Sequence, residues 1–458
     1  MPVSPEEPSP TSGDSDGDDA RKGLAREVLS LAVPAFATLV AEPLMLMVDA
    51  AVVGHLSTDS LAGLGIAASL LTIPVSLCIF LAYGTTASVA RHLGAGRRDR
   101  ALQVGLDGMV LGAGLGLVLA TVMSLSAGVT VGFYDATESV AGEATSYLRV
   151  AAIGLAGLLV MLASTGVLRG LQDTKTPLWV AIGVNVINAA LTIGLVNGTE
   201  LGIVGAAIGT AVAQLTGGTV LATIVIRKAR RVGVRLRPTR SGVLSTARQG
   251  GWLVVRTATL QAAITSTAVI AASFGTIAIA AHQVTNALWS LLAMMLDSIA
   301  IAAQAIIGRY LGAGKVRIVR MLTARMLFWG VVAGVVFGVG VFLTHPLYAG
   351  FFSPDPEVQA LLARVLVVVA VVTPVSAAVF VLDGVLIGAG DARYLALAGL
   401  IALACYLPFA IGVYAAATGD TNPGWLVWLW VAYTGFMAAR LITLAVRARG
   451  DRWLRTGD

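Results

Sequence analysis

Arg91-His-Leu-Gly-Ala-Gly96 returns as Arg309-Tyr-Leu-Gly-Ala-Gly314, and Gly166-Val-Leu-Arg-Gly-Leu-Gln-Asp173 returns as Gly384-Val-Leu-Ile-Gly-Ala-Gly-Asp391, both at a displacement of 218 residues. Phe133 falls on Phe351 at the same displacement. One offset that holds at three separated places without a gap is the mark of an internal duplication, and it divides the chain into two equivalent halves.

The material between these landmarks is membrane material. Apolar residues make up 57% of the chain and charged residues 12%, about half the charged share of a soluble domain, and the mean hydropathy is +0.85. A spanning helix needs about 20 mainly apolar residues. On that criterion spans are expected near 28–53, 61–90, 102–132, 144–168, 178–197 and 202–226, then near 250–273, 278–307, 320–345, 358–387, 395–417 and 424–446. The fold class is therefore an all-α polytopic membrane protein of twelve transmembrane helices in two six-helix repeats. An even number of spans per half gives both halves the same orientation, related by an axis along the membrane normal.

This organisation assigns residues 1–25 to a disordered cytoplasmic tail, 26–226 to an N-terminal lobe, 227–249 to a basic linker, 250–446 to a C-terminal lobe and 447–458 to a second tail. Residues 1–19 are rich in Ser, Pro, Gly and acids and lack the apolar surface needed to fold. They also lack the basic and apolar regions of a signal peptide, so the first span is expected to be retained. Arginine and lysine collect in the loops 91–100, 227–240 and 308–320, while the alternate loops carry acids. By the positive-inside rule both termini are expected in the cytoplasm. The +6 net charge then reports topology, and the basic loop 227–240 reads as a lipid-facing segment, with no nucleic-acid partner expected.

Enzymatic chemistry finds no support. His55, His92, His282 and His345 make no metal-ligand spacing, and the Gly-Ala-Gly motifs lead into no phosphate-binding Lys-Ser/Thr pair, so they read as tight turns. Cys78 and Cys405 both lie in expected spans and suggest neither a disulfide framework nor a zinc site.

What remains is a set of polar residues inside apolar segments. In Ala41-Glu-Pro-Leu-Met-Leu-Met-Val-Asp49, Glu42 and Asp49 are seven residues apart. That spacing puts them on one helical face roughly 10 Å apart along the axis. Pro43 between them removes a backbone donor, so the helix should bend or loosen there. Placing a carboxylate at mid-bilayer depth costs about 2.5–3.5 kcal/mol on insertion scales, and such acids face a bundle interior or a watery cavity. Asp297 and Asp383 place two more acids in the C-terminal half, behind His282, Gln283 and Asn286, and Asn188 and Thr192 lie one turn apart on the fifth span. Asp49, Asp383 and Asp297 are the candidate coupling groups. Glu42, Met45, Met47, Asn188, Thr192, His282, Gln283 and Asn286 are the candidate substrate contacts, the methionines as an adaptable wall.

These features together resemble one family. Two six-span halves, Val-Asp-Ala-Ala-Val-Val-Gly-His-Leu around Asp49, Arg-His-Leu-Gly-Ala-Gly, Leu-Arg-Gly-Leu-Gln-Asp-Thr and Leu-Asp-Ser-Ile-Ala-Ile-Ala-Ala-Gln are similar to the MATE multidrug and toxin extrusion transporters, in particular the DinF-like branch, over residues 25–446. The resemblance implies a V-shaped pair of lobes that exports lipophilic organic cations in exchange for H+ or Na+, with no other cofactor. It implies that Asp49 is the first-span acid whose protonation is linked to bending of its helix, and that Asp383 is an acid common on the tenth span. Asn188 matches a polar position of a cation site whose acidic companion is Thr192 here, which favours protons over sodium, as does Gln283. A monomer in a bacterial inner membrane is expected. Two alternatives stay open at this level. A lipid-linked precursor flippase of the same superfamily calls for a cationic lumen, whereas the intramembrane charges read mainly as acids; a passive channel or receptor would use the same polar residues to line a pore or pocket.

Overall fold

The computed structural model describes residues 13–420 and 422–456, with side chains from Arg26 onward. Among the described residues twelve helices are long and apolar enough to cross a membrane: α1 (Arg26–Gly54), α2 (Thr58–Gly94), α3 (Arg98–Gly132), α4 (Glu138–Gly170), α5 (Lys175–Gly198), α6 (Ile203–Arg231), α7 (Arg240–Ser273), α8 (Thr276–Gly312), α9 (Val316–Phe352), α10 (Pro356–Gly388), α11 (Ala392–Ala416) and α12 (Trp425–Arg449). Each matches one expected span, which it contains to within one residue at either end.

The edges differ from the sequence reading in three places. The first twelve residues of the expected tail lie outside the described residues, but from Gly13 the backbone is already helical and runs without a break into α1. Once a span has nucleated a helix, each added residue gains a hydrogen bond, so the helix propagates outward. The linker expected at 227–249 shortens to 232–239, because α6 runs on to Arg231 and α7 starts at Arg240. Thr239 caps α7 and is bound to Asp107 of α3 through its backbone N–H and its hydroxyl, each at 2.8 Å, so the linker's end is pinned to the other lobe. Beyond α12 the chain folds back, burying Trp453, whose indole donates to the Ala448 carbonyl.

Each lobe is built around one buried helix. In the N-terminal lobe α4 packs against α2, α3 and α6; in the C-terminal lobe α10 packs against α8, α9 and α12, which are the equivalent partners under the 218-residue displacement. Small residues set these contacts, as expected where lipid offers no hydrophobic gain for helix association. Gly166 of α4 faces the Ala82 carbonyl of α2, and Gly384 of α10 faces the Ala300 carbonyl of α8, residue for residue the same contact.

The lobes meet at the end that carries the basic loops. There Gly94 lies against the Arg309 carbonyl and Gly312 against the Arg91 carbonyl, a reciprocal pair across a pseudo-two-fold axis. Each Gly-Ala-Gly ends its helix: Gly96 and Gly314 take φ of 75° and 71°, and the Arg97 and Lys315 N–H groups close onto the His92 and Tyr310 carbonyls. The first glycine serves the approach between lobes and the last serves the turn. Arg91 crosses the seam to the Ala389 carbonyl at 2.6 Å and the Arg455 carbonyl at 3.0 Å, and Arg309 crosses it to Glu27.

Candidate functional site

Asp49 is fully buried inside the N-terminal lobe. Thr192 of α5 donates to its Oδ1 at 3.0 Å and Thr210 of α6 donates to its Oδ2 at 2.8 Å. Asn188, one turn from Thr192, donates to the Thr210 hydroxyl at 3.2 Å, and its own Oδ1 has no partner. Two helices, α5 and α6, therefore hold the carboxylate of α1 by neutral donors alone. Asn188 and Thr192, expected as substrate contacts, form the frame around Asp49. Thr210 is absent from the expected set because a threonine in an Ala- and Gly-rich span carries no distinguishing pattern.

Below this frame a cavity of about 120 Å³ runs between α1, α2, α4, α5 and α6. Its α1 wall is Thr38, Glu42 and Met45, spaced at successive turns, and Pro43 leaves the helix unbroken. Leu158, Met161 and Leu162 form an apolar side, Gln214 lines the cavity with its unpartnered Oε1 turned against Gly154, and Arg169 lines the end towards the basic loops. Met47 is not part of this wall: it is 67% exposed, because a residue two places from Met45 lies on the other side of a helix.

The centre of the molecule is more cationic than the sequence reading allowed. Asp383 is buried between two arginines, paired with Arg256 of α7 and, at 3.4 Å, with Arg440 of α12. Asp297 accepts a hydrogen bond from the Tyr83 hydroxyl across the lobe seam at 2.7 Å, and the Arg256 guanidinium lies 6.0 Å from the Tyr83 ring centroid. With Arg169, three buried arginines face these two aspartates. The expectation of mainly acidic intramembrane charge is corrected: Arg256 and Arg440 are the single arginines of the expected spans 250–273 and 424–446, whose mean hydropathy hides them, and Arg169 falls just beyond the expected span 144–168. For Arg256 and Arg440 the signal was legible, since an arginine six or more residues inside a span is a functional or structural marker.

The C-terminal lobe does not repeat the acid. The residues equivalent to Asp49 and Asn188 are Thr267 and Tyr406, whose hydroxyls are 2.7 Å apart. His282 is buried against Trp430, with ring centroids 5.9 Å apart and neither ring nitrogen hydrogen-bonded. It belongs to an aromatic cluster with Trp289 and Tyr433 and does not join Gln283, which is exposed, or Asn286, which is half-buried. Among the described residues no group of three or more His, Cys, Asp or Glu is placed to hold a metal ion.

The MatE family profile matches residues 34–193 and 255–411. The chain is 29% identical to protein DETOXIFICATION 44, chloroplastic, of Arabidopsis thaliana over 93% of its own length and 82% of that protein. It is 26% identical to DNA damage-inducible protein F of Escherichia coli over 91% of its length and 90% of that protein. The structure superposes on the Vibrio cholerae MATE transporter VcmN in its bent form with a TM-score of 0.84 at 20% identity, covering 94% of this chain and 98% of the other. With six equivalent helices in each lobe, a seam closed at one end and a family match across both halves, the chain belongs to the MATE family of multidrug and toxic compound extrusion transporters.

Proposed function

We propose that this protein is a proton-coupled antiporter that exports small organic molecules, lipophilic cations among them, by alternating access, with Asp49 as the coupling group. The observation that carries this reading is the frame around Asp49. A carboxylate held only by hydroxyl donors can take up a proton without breaking an ion pair. Asp383, locked between Arg256 and Arg440, cannot do so at comparable cost, so it serves the packing of its lobe. Protonated Asp49 becomes a donor itself, and Asn188, joined to it through the Thr210 hydroxyl, carries an Oδ1 that still lacks a partner. The hydroxyls of Thr192 and Thr210 are then free to turn away, which loosens α1 from α5 and α6 next to the cavity. Coupling follows because proton and substrate each favour a different arrangement of the same helix.

The positive-inside rule supports a cytoplasmic position for the closed seam in a bacterial inner membrane, in which case this conformation would face outward and both termini would be cytoplasmic. The test is efflux from proteoliposomes under a proton gradient and under a sodium gradient applied separately. Asp49→Asn keeps the size and the acceptor oxygen but cannot exchange a proton. It should abolish proton-driven efflux while leaving substrate binding measurable; undiminished proton-driven efflux in Asp49→Asn would refute the assignment.

A further inference from the structure

From Val234 to Thr239 the linker runs without helix, and its apolar residues Val234, Leu236 and Pro238 alternate with Arg235 and Arg237. In an extended chain successive side chains point to opposite sides, and the structure sorts them accordingly. Val234 packs against the hydrophobic core, Leu236 and Pro238 cover an apolar groove, and Arg235 and Arg237 flank Leu236 in an adjoining recess. Two anchors on α3 hold the linker there. Gln103 donates to the Arg237 carbonyl at 3.0 Å, and Asp107, one turn on, accepts from the N–H and the hydroxyl of Thr239.

The groove encloses about 260 Å³ between Met109, Val110 and Ala113 of α3 and Ile226 of α6, with Val160 of the buried helix α4 at its floor. It exists because α3 and α6 each pack closely on α4 and only slightly on each other. Along α3 it continues into an exposed face, Val110 at 45%, then Gly114 and Leu117 at 61%, one helical turn apart. An exposed apolar face on a spanning helix is one that meets acyl chains. The groove shares no lining residue with the cavity beside Asp49.

The recess above it has the opposite character. Arg235 and Arg237 are exposed, and among the described residues neither guanidinium has a hydrogen-bond or ion-pair partner. Asp107 offers them no counter-charge, because it is buried and taken up by Thr239 and Gln103. A guanidinium fork matches two oxygens of a phosphate, and basic sites at the cytoplasmic edge of spanning helices hold anionic head groups.

We propose that the linker and the α3–α6 groove form the seat of one anionic phospholipid, its phosphate between Arg235 and Arg237 and one acyl chain beneath Leu236 and Pro238 along α3. The arginines call for the anionic head and the groove calls for the chain; a soluble anion would use only the first. This site is independent of what the protein transports and of Asp49. It lies at the covalent joint between the lobes, where a bound lipid holds the linker against α3.

Native mass spectrometry of the purified full chain, stripped of lipid in detergent, gives the apparent affinity for the first lipid bound. Two probes share dioleoyl chains: phosphatidylglycerol, with a net negative head, and phosphatidylcholine, whose head is neutral overall. Phosphatidylglycerol should bind at least tenfold more tightly. Arg235→Gln with Arg237→Gln should bring it to the level of phosphatidylcholine. Lys315→Gln with Arg317→Gln removes the same charge from an exposed turn of the other lobe and should leave the preference intact. Ala113→Phe fills the groove without changing charge and should weaken phosphatidylglycerol at least fivefold. Glycerophosphoglycerol, the head without chains, should not displace the lipid. The substituted positions are exposed or half-buried, so every variant should melt with the unaltered chain, which separates lost binding from lost folding. Equal affinity for the two lipids, a preference that survives in the Arg235 and Arg237 variant, an equal loss in the Lys315 and Arg317 variant, unchanged binding in Ala113→Phe, or displacement by the free head group overturns the proposal.

Discussion

A single methyl group at the seam should open the transporter. A Cβ added at Gly94 would lie 1.8 Å from the Arg309 carbonyl oxygen, 2.7 Å from its carbon and 3.0 Å from its Cα. These are backbone atoms of α8, so no rotamer change relieves the contact. The helices must move apart by about 1.5 Å to reach ordinary van der Waals separation. Overpacking of this kind costs typically about 1–3 kcal/mol. The cost falls only on the conformation in which the basic ends touch, so the balance between this state and one open at that end shifts by about 5- to 150-fold. Gly312→Ala should behave alike, since its Cβ would lie 1.9 Å from the Arg91 carbonyl oxygen. The double variant should shift the balance little further, because one separation relieves both contacts and the two effects are not independent. Spin labels at Asp99→Cys and Arg317→Cys, equivalent exposed positions after the two turns, report the opening by double electron–electron resonance in a Cys405→Ser background. Gly94→Ala should lengthen the distance distribution. An unchanged distribution together with an unchanged melting temperature would refute the argument.

Two further substitutions probe the buried polar groups. Asp383→Ala leaves Arg256 and Arg440 buried without their common counter-charge, a loss of about 3–5 kcal/mol that should appear as a marked fall in melting temperature, whereas Asp49→Asn should melt close to the unaltered chain. Thr210→Val removes the donor to Asp49 Oδ2 and the acceptor used by Asn188; about 1–3 kcal/mol of stability should be lost, and proton-driven efflux should shift its dependence on external pH.

The spans and their duplication were legible because both rest on features that a linear reading measures, apolar length and a fixed displacement. The pairing of equivalent helices around α4 and α10 follows from that displacement alone. The site was legible in part. Glu42 and Asp49 share a face by spacing, but the same rule shows that Met45 and Met47 cannot, and the structure separates them accordingly. Partners far apart in the chain were hidden: Arg256 and Asp383 are 127 residues apart, and nothing in either segment points to the other. Thr210 and Gln214 were hidden for another reason, since their roles depend on what α1 and α4 bring opposite them. The reading of the Gly-Ala-Gly motifs as turns accounted for Gly96 and Gly314, yet the first glycine of each motif serves the neighbouring lobe, which no local pattern reveals.

The chain beyond α12 changes how this protein must be handled. Arg91 holds the Ala389 carbonyl and the Arg455 carbonyl together, and Trp453 is buried close by. Whatever follows Arg455 is thus delivered to the line along which the lobes must part. A purification tag or fluorescent reporter fused there would sit against the moving joint, adding bulk to one state and not to the other. A reporter of native transport rates is better placed elsewhere, for instance beside the exposed Asp420 at the opposite end.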